Sequence, residues 1–155
     1  MVEGMDPVDD VAMPFLLMRA FRGLVDSVHE DLAQQGFPGI RAHHGFALQA
    51  IGDGCTSVTL GERLGVSKQA AAKTVKSLED LGLVERRLNE ADRRERTLAI
   101  TRRGRRLLSL SAAAFRREVA TWRTRVGDER VDATLTTLLA VGSGGRSDTD
   151  LSDWQ

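Results

Sequence analysis

A chain of 155 residues, 41% hydrophobic and 28% charged, is long enough to bury one ordinary core and has the composition of a soluble globular protein. No stretch reaches the roughly 18 apolar residues of a membrane span, and the acidic opening MVEGMDPVDD lacks the apolar region of a signal peptide, so no membrane partner is expected. The lone Cys55 leaves no internal disulfide and fits a reducing cytoplasm, the expected location.

The formal net charge is zero, with 22 basic and 22 acidic residues, yet the charge is unevenly spread. Residues 61–106 hold 13 Lys and Arg against 7 Asp and Glu, a surplus of six that the rest of the chain cancels. A local basic surplus is what a phosphate-binding surface needs, and an acidic remainder would keep other faces off nucleic acid.

In chain order, residues 1–10 read as a flexible tail. A long helix is predicted from Val11 to about Gln35, with Leu17, Phe21, Leu24, Val28 and Leu32 on one face. Gly36-Phe-Pro-Gly39 breaks it. A second helix covers about Arg41 to Ile51, with His44, Leu48 and Ile51 on one side, and Gly52-Asp-Gly54 ends it. Cys55-Thr-Ser-Val58 is β-prone and reads as a strand stub.

Thr59 to Val84 then reads as two short helices and a tight turn. Thr59 and Glu62 have capping-box spacing. Gly65 suits a left-handed C-cap, and Ser67 is placed to N-cap the next helix. That helix carries a buried stripe of Ala71, Val75, Leu78 and Leu81, and Gly82 stops it. Lys68, Gln69, Lys73, Thr74, Lys76 and Ser77 lie on its other faces. A helix-turn-helix with a basic, donor-rich second helix is an arrangement that enters the DNA major groove.

After Gly82 the period falls to two. Leu83–Leu88 and Arg96–Ile100 are predicted strands, joined by the polar Asn89–Glu95 connection into a β-hairpin wing. Arg93 and Arg94 fall near its tip, where an arginine can enter a minor groove, and Asp92 is placed to orient one of them. Thr101 is expected to cap a long helix to about Val126, with Leu108, Phe115, Val119, Trp122 and Val126 at near-heptad spacing. Gly127 interrupts. Asp128 is expected to cap a last helix that buries Val131, Leu135, Leu138 and Leu139. Residues 142–155 read as a second flexible tail.

The expected fold is therefore mainly α with a small β-hairpin: a winged helix-turn-helix over residues 11–141. Its DNA-binding lobe spans about 41–100. The helices of 11–35 and 101–141 carry more apolar stripe than one small lobe needs, and are read as dimerisation helices.

Leu78-Glu-Asp-Leu-Gly-Leu-Val-Glu-Arg86, followed by Asp92-Arg-Arg94 and by Leu98-Ala-Ile-Thr101 with Gly104, resembles the MarR family of bacterial transcription regulators. The likeness covers roughly residues 11–141. It implies a homodimeric repressor on double-stranded DNA, binding a pseudo-palindromic operator with half-sites about one turn, ~34 Å, apart. The family's recognition helix maps onto Ser67–Leu81 and its wing arginine onto Arg94, with Asp92 as the acid that holds it. Ala72 stands where the family often has Ser or Thr. Lys73 stands where Arg is common, and a lysine cannot make a planar two-point contact to guanine. The likeness also implies a cleft for a small, often aromatic or phenolic acid, for which Arg19, His43, His44, Phe46 and Arg106 are the expected contacts.

Other readings are weaker. His29, His43, His44 and Cys55 are the ligands open to a metal-responsive regulator; adjacent His43 and His44 should point from different helix faces, so no metal and no cofactor are expected. A redox-responsive regulator would use Cys55, which has no resolving partner. A winged helix used only for protein contacts would not need the basic surplus. No nucleophile-elbow, phosphate-loop or metallo-hydrolase motif is present, so an enzyme is not expected.

Overall fold

The computed structural model describes residues 9–88 and 96–142. A 3-10 turn, Asp10–Ala12, leads into α1, Met13–Gln34. Four further elements build the lobe: α2 (Ala42–Ile51), α3 (Ser57–Leu64), α4 (Lys68–Asp80) and a hairpin of β1 (Val84–Leu88) and β2 (Arg96–Ile100). Two helices follow, α5 (Arg102–Val126) and α6 (Asp128–Gly142). This is the expected winged helix-turn-helix, mainly α with one small antiparallel sheet.

Capping residues set the lobe's boundaries. Ser67 Oγ accepts the Ala70 amide at 3.2 Å and starts α4; Thr101 Oγ1 accepts the Gly104 amide at 3.0 Å and starts α5. Gly65, at φ +64°, gives the left-handed turn between α3 and α4. One predicted boundary moves. Helix α3 begins two residues before the expected capping box, because Thr56 Oγ1 takes the Thr59 amide at 3.1 Å. The expected strand stub shrinks to Cys55, whose carbonyl accepts Leu98 N–H at 2.7 Å and extends the hairpin by one bridge.

The hairpin pairs Val84 with Ile100 through Leu88 with Arg96. One core joins Val28 and Leu32 of α1, Leu48 and Ile51 of α2, Leu60 and Leu64 of α3, Val75 and Leu78 of α4, Leu83, Leu98 and Leu107. Truncating any of these buried leucines to Ala should cost about 2–5 kcal/mol. At the α5 start there is no room for a side chain. A Cβ on Gly104 would collide with the Leu83 carbonyl oxygen and come within 2.7 Å of Ile100 Cγ2.

Arg103 ties the lobe to α1. It donates to Leu81 O at 3.2 Å and Gly36 O at 2.8 Å, and lies 4.3 Å over the Phe37 ring. Further along, α5 packs against α1, with Ser27 donating to Glu118 at 2.6 Å and Arg117 bridging to Asp31 at 2.6 Å.

The expected stripes at the chain's ends are only partly buried within one chain: Val28 and Leu32 of α1 join the core, and the outer parts of the stripes do not. Leu17 of α1 is exposed, as are its neighbours Phe15, Leu16 and Met18. Of the four α6 residues expected in a core, only Val131 is buried; Leu135 is 50%, Leu138 42% and Leu139 75% exposed. On α5, Phe115 and Val126 are exposed while Val119 and Trp122 are half-buried. Helix α6 packs against α5, and its later apolar residues remain largely exposed among the described residues.

Candidate nucleic-acid interface

Helix α4 buries one face and presents the others. Ala71, Val75 and Leu78 are fully buried, which turns Lys68, Gln69, Lys73 and Lys76 into solvent. Gly61 allows the close seat: a Cβ there would stand 3.2 Å from Ala71 Cβ. Ser67 is exposed, its oxygen engaged as the N-cap. Lys76 pairs with Asp80 at 3.2 Å, both well exposed, a contact worth at most a few tenths of a kcal/mol and easily exchanged for a phosphate.

The two flanks of α4 are held differently. On the wing side, Arg86 of β1 bridges to Glu79 at 3.0 Å. On the opposite side stands the first turn of α2. There the buried His44 imidazole receives the Arg41 amide at Nδ1, 3.1 Å away, and meets Ser77 Oγ at 2.9 Å through Nε2. The amide can only donate, so the neutral ring carries its proton on Nε2 and donates to Ser77. Burial, followed by the charges of His43, Arg41 and His29, pushes the His44 pKa from 6.5 down to about 4. An imidazolium would set an N–H against the Arg41 N–H.

These contacts reassign several predicted residues. Ser77 is half-buried and turned toward α2, so its hydroxyl serves the helix-to-helix contact rather than the outer face. Thr74 is half-buried on the same flank. His43 and His44 do not diverge as expected; their rings meet edge to face, centroids 4.1 Å apart. Asp92, Arg93 and Arg94, the expected wing contacts, lie outside the described residues.

Two cavities adjoin this region. A groove of about 720 Å³ runs between α2 and α4, bordered by Arg41, His43, His44, Lys73, Thr74 and Ser77. A second cavity, about 370 Å³, lies between α1, α2 and α5 and is mostly apolar: Phe21, Phe46, Leu107, Leu108 and Phe115 surround it, with His29, Arg41 and Gln49 among its polar groups. Of the five expected effector contacts, Phe46 lines this second cavity, His43 and His44 border the groove instead, and Arg19 and Arg106 border neither. The apolar wall from Phe21 and Phe115 is hidden in stripes that read as helix packing. Arg41, which reads only as a helix boundary, borders both cavities.

Cys55 is buried, and burial pushes its thiol pKa up despite nearby Arg63. That is the reverse of a reactive thiolate. Among the described residues no three His, Cys, Asp or Glu side chains converge as metal ligands, and no helix is long and apolar enough to cross a membrane.

Residues 46–95 match the model of the MarR family. The chain is 39% identical over 87 residues to the HTH-type transcriptional regulator PetP of Rhodobacter capsulatus, a match covering 55% of this chain. It spans about half, 51%, of that relative. Among solved structures, CouR from Rhodococcus jostii RHA1, bound to p-coumaroyl-CoA, superposes with a TM-score of 0.64 at 24% identity, over 92% of this chain and 99% of CouR. A point mutant of MepR from S. aureus, bound to an oligodeoxyribonucleotide, gives 0.59 at 19% identity, over 83% of this chain and 96% of MepR. At those identities the structures establish the fold alone. The segment carrying the helix-turn-helix and hairpin is thus similar to the MarR family, in a chain that shares the fold of these solved structures.

Proposed function

We propose that this chain is a sequence-specific DNA-binding regulator that works as a homodimeric repressor on a pseudo-palindromic operator. The observation that carries the reading is the outer face of α4: Lys68, Gln69 and Lys73 stand in solvent on a helix whose opposite face is fully buried, within a segment bearing the chain's basic surplus. Ser67, Thr74, Lys76 and the wing residues Asp92, Arg93 and Arg94 complete the proposed contact set. The DNA-bound state of MepR supports it by analogy of fold.

The dimer would use residues 11–35 and 101–141. The exposed apolar residues of α1, α5 and α6 support this, since monomers rarely leave so much apolar surface in one region. The cavity between α1, α2 and α5 suits a small ligand with an apolar, ring-sized body. The coumaroyl-CoA held by CouR supports an effector of aromatic character. Binding there would change the spacing of the two reading heads and so release DNA.

Selection of bound duplexes from a random library at moderate salt tests the reading. A recovered pseudo-palindrome with half-sites about one turn apart is the expected outcome. Recovery of no motif, with all binding lost at modest salt, would leave only a basic surface and reject sequence-specific regulation.

A further inference from the structure

Helix α4 has two flanks, and a helix seated in the major groove offers one to each DNA strand. The wing covers the flank of Glu79. The other flank, Ala70, Lys73, Thr74 and Ser77 at helical spacing, faces the first turn of α2 across the groove of about 720 Å³. Charge in that groove is not balanced. Arg41 and Lys73 border it, and among the described residues no carboxylate pairs with either. Asp80, the acid at its edge, is bound to Lys76. The Arg41 charge is felt locally, since it helps lower the pKa values of both His43 and His44. The Arg41 backbone is also fixed in place: its amide is held by His44, which is held in turn by Ser77 of α4. Arg41 therefore borders the groove from one fixed backbone position beside the recognition helix.

We infer that this groove is a seat for a DNA-backbone phosphate, gripped by Arg41 from outside the helix-turn-helix and by Lys73 from α4. The inference rests on the DNA-binding reading above and adds to it a residue that precedes the whole helix-turn-helix in sequence. Arg41 supplies affinity and register but reads no base. It fixes how far α4 can roll about its axis in the major groove, because the wing anchors one strand and Arg41 the other.

The test is the salt dependence of binding to the selected duplex, followed by fluorescence polarisation, for the full chain and for Arg41→Gln and Arg41→Lys. Gln keeps much of the reach and removes the charge; Lys keeps the charge. Loss of one phosphate contact per chain should reduce the slope of log K against log salt by about 0.9, or ~1.8 for a dimer. Arg41→Gln is expected to show that loss with equal weakening on operator and on unrelated duplex, and Arg41→Lys to retain most of the slope. A wild-type slope in Arg41→Gln, with the full chain still binding, overturns the phosphate seat and leaves the regulator reading intact. Failure of the unmodified chain to bind any duplex at low salt rejects both. Thermal melts of each variant separate misfolding from lost contact, and a parallel Lys73→Ala titration must show the same uniform loss for the seat to stand.

Discussion

The lobe and the chain's ends satisfy their apolar side chains in different ways. In the lobe, Leu48, Ile51, Leu60, Val75, Leu78, Leu83 and Leu98 are all fully buried by elements of the same chain. At the ends, α1 exposes Phe15, Leu16, Leu17 and Met18, and α6 exposes Leu135, Leu138, Leu139 and Val141. Both regions have helical apolar stripes of similar spacing. The difference lies in what stands opposite: the lobe's stripes converge on each other, whereas those at the ends stay largely exposed among the described residues. A stripe in a sequence thus states which face is apolar, and only the fold states whether the same chain covers it.

Charges placed on the exposed stripe give the largest expected separation of the two regions. Leu135→Asp with Leu139→Asp should weaken self-association by at least about 100-fold, some 3 kcal/mol, while far-UV spectra retain the lobe. Sedimentation velocity checks it; an unchanged association state would remove α6 from the interface. Within the lobe, Gly104→Ala should do the reverse. It drives a methyl into Leu83 and Ile100, and overpacking of this kind costs about 1–3 kcal/mol. Urea denaturation should show that loss, and a variant as stable as the parent would mean the α5 start can shift without penalty.

Much of this is readable in the residues. Gly65, Ser67, Gly82 and Thr101 mark the helix ends where the structure has them, because capping is local chemistry between residues within three or four positions. Gly104 belongs to the family pattern, but the reason for it is a close approach to Leu83 and Ile100 that only the fold creates. The exposed face of α4 on which the proposed contacts lie is legible in the sequence, and its flank is not. Ser77 looks outward by composition, yet a buried histidine 33 positions earlier turns it inward. Arg41 carries no motif at all; its position depends on how α2 meets α4. Thr56 and Thr59 are both competent caps, and the role goes to the residue nearer the Cys55 bridge to β2.

The weakest link between lobe parts should be the one that titrates. His44 is the buried polar residue among the described ones, and it joins α2 to α4 in its neutral form. Its folded pKa, about 4, lies below the ordinary 6.5. Stability from the neutral ring is therefore full above about pH 6.5 and is lost as pH falls toward 4. His29 and His43, also lowered by burial, act in the same direction. Between about pH 7.5 and 5, His44 alone should cost about 2 kcal/mol. His44→Gln, which keeps an acceptor and a donor but cannot ionise, should begin less stable at the upper pH and lose about 2 kcal/mol less over that interval. Equal acid losses in both proteins, measured by urea denaturation at each pH, would show that the α2–α4 contact tolerates an imidazolium. The Arg41 amide would then have to turn away from the ring, and the backbone position from which Arg41 borders the groove would no longer be fixed.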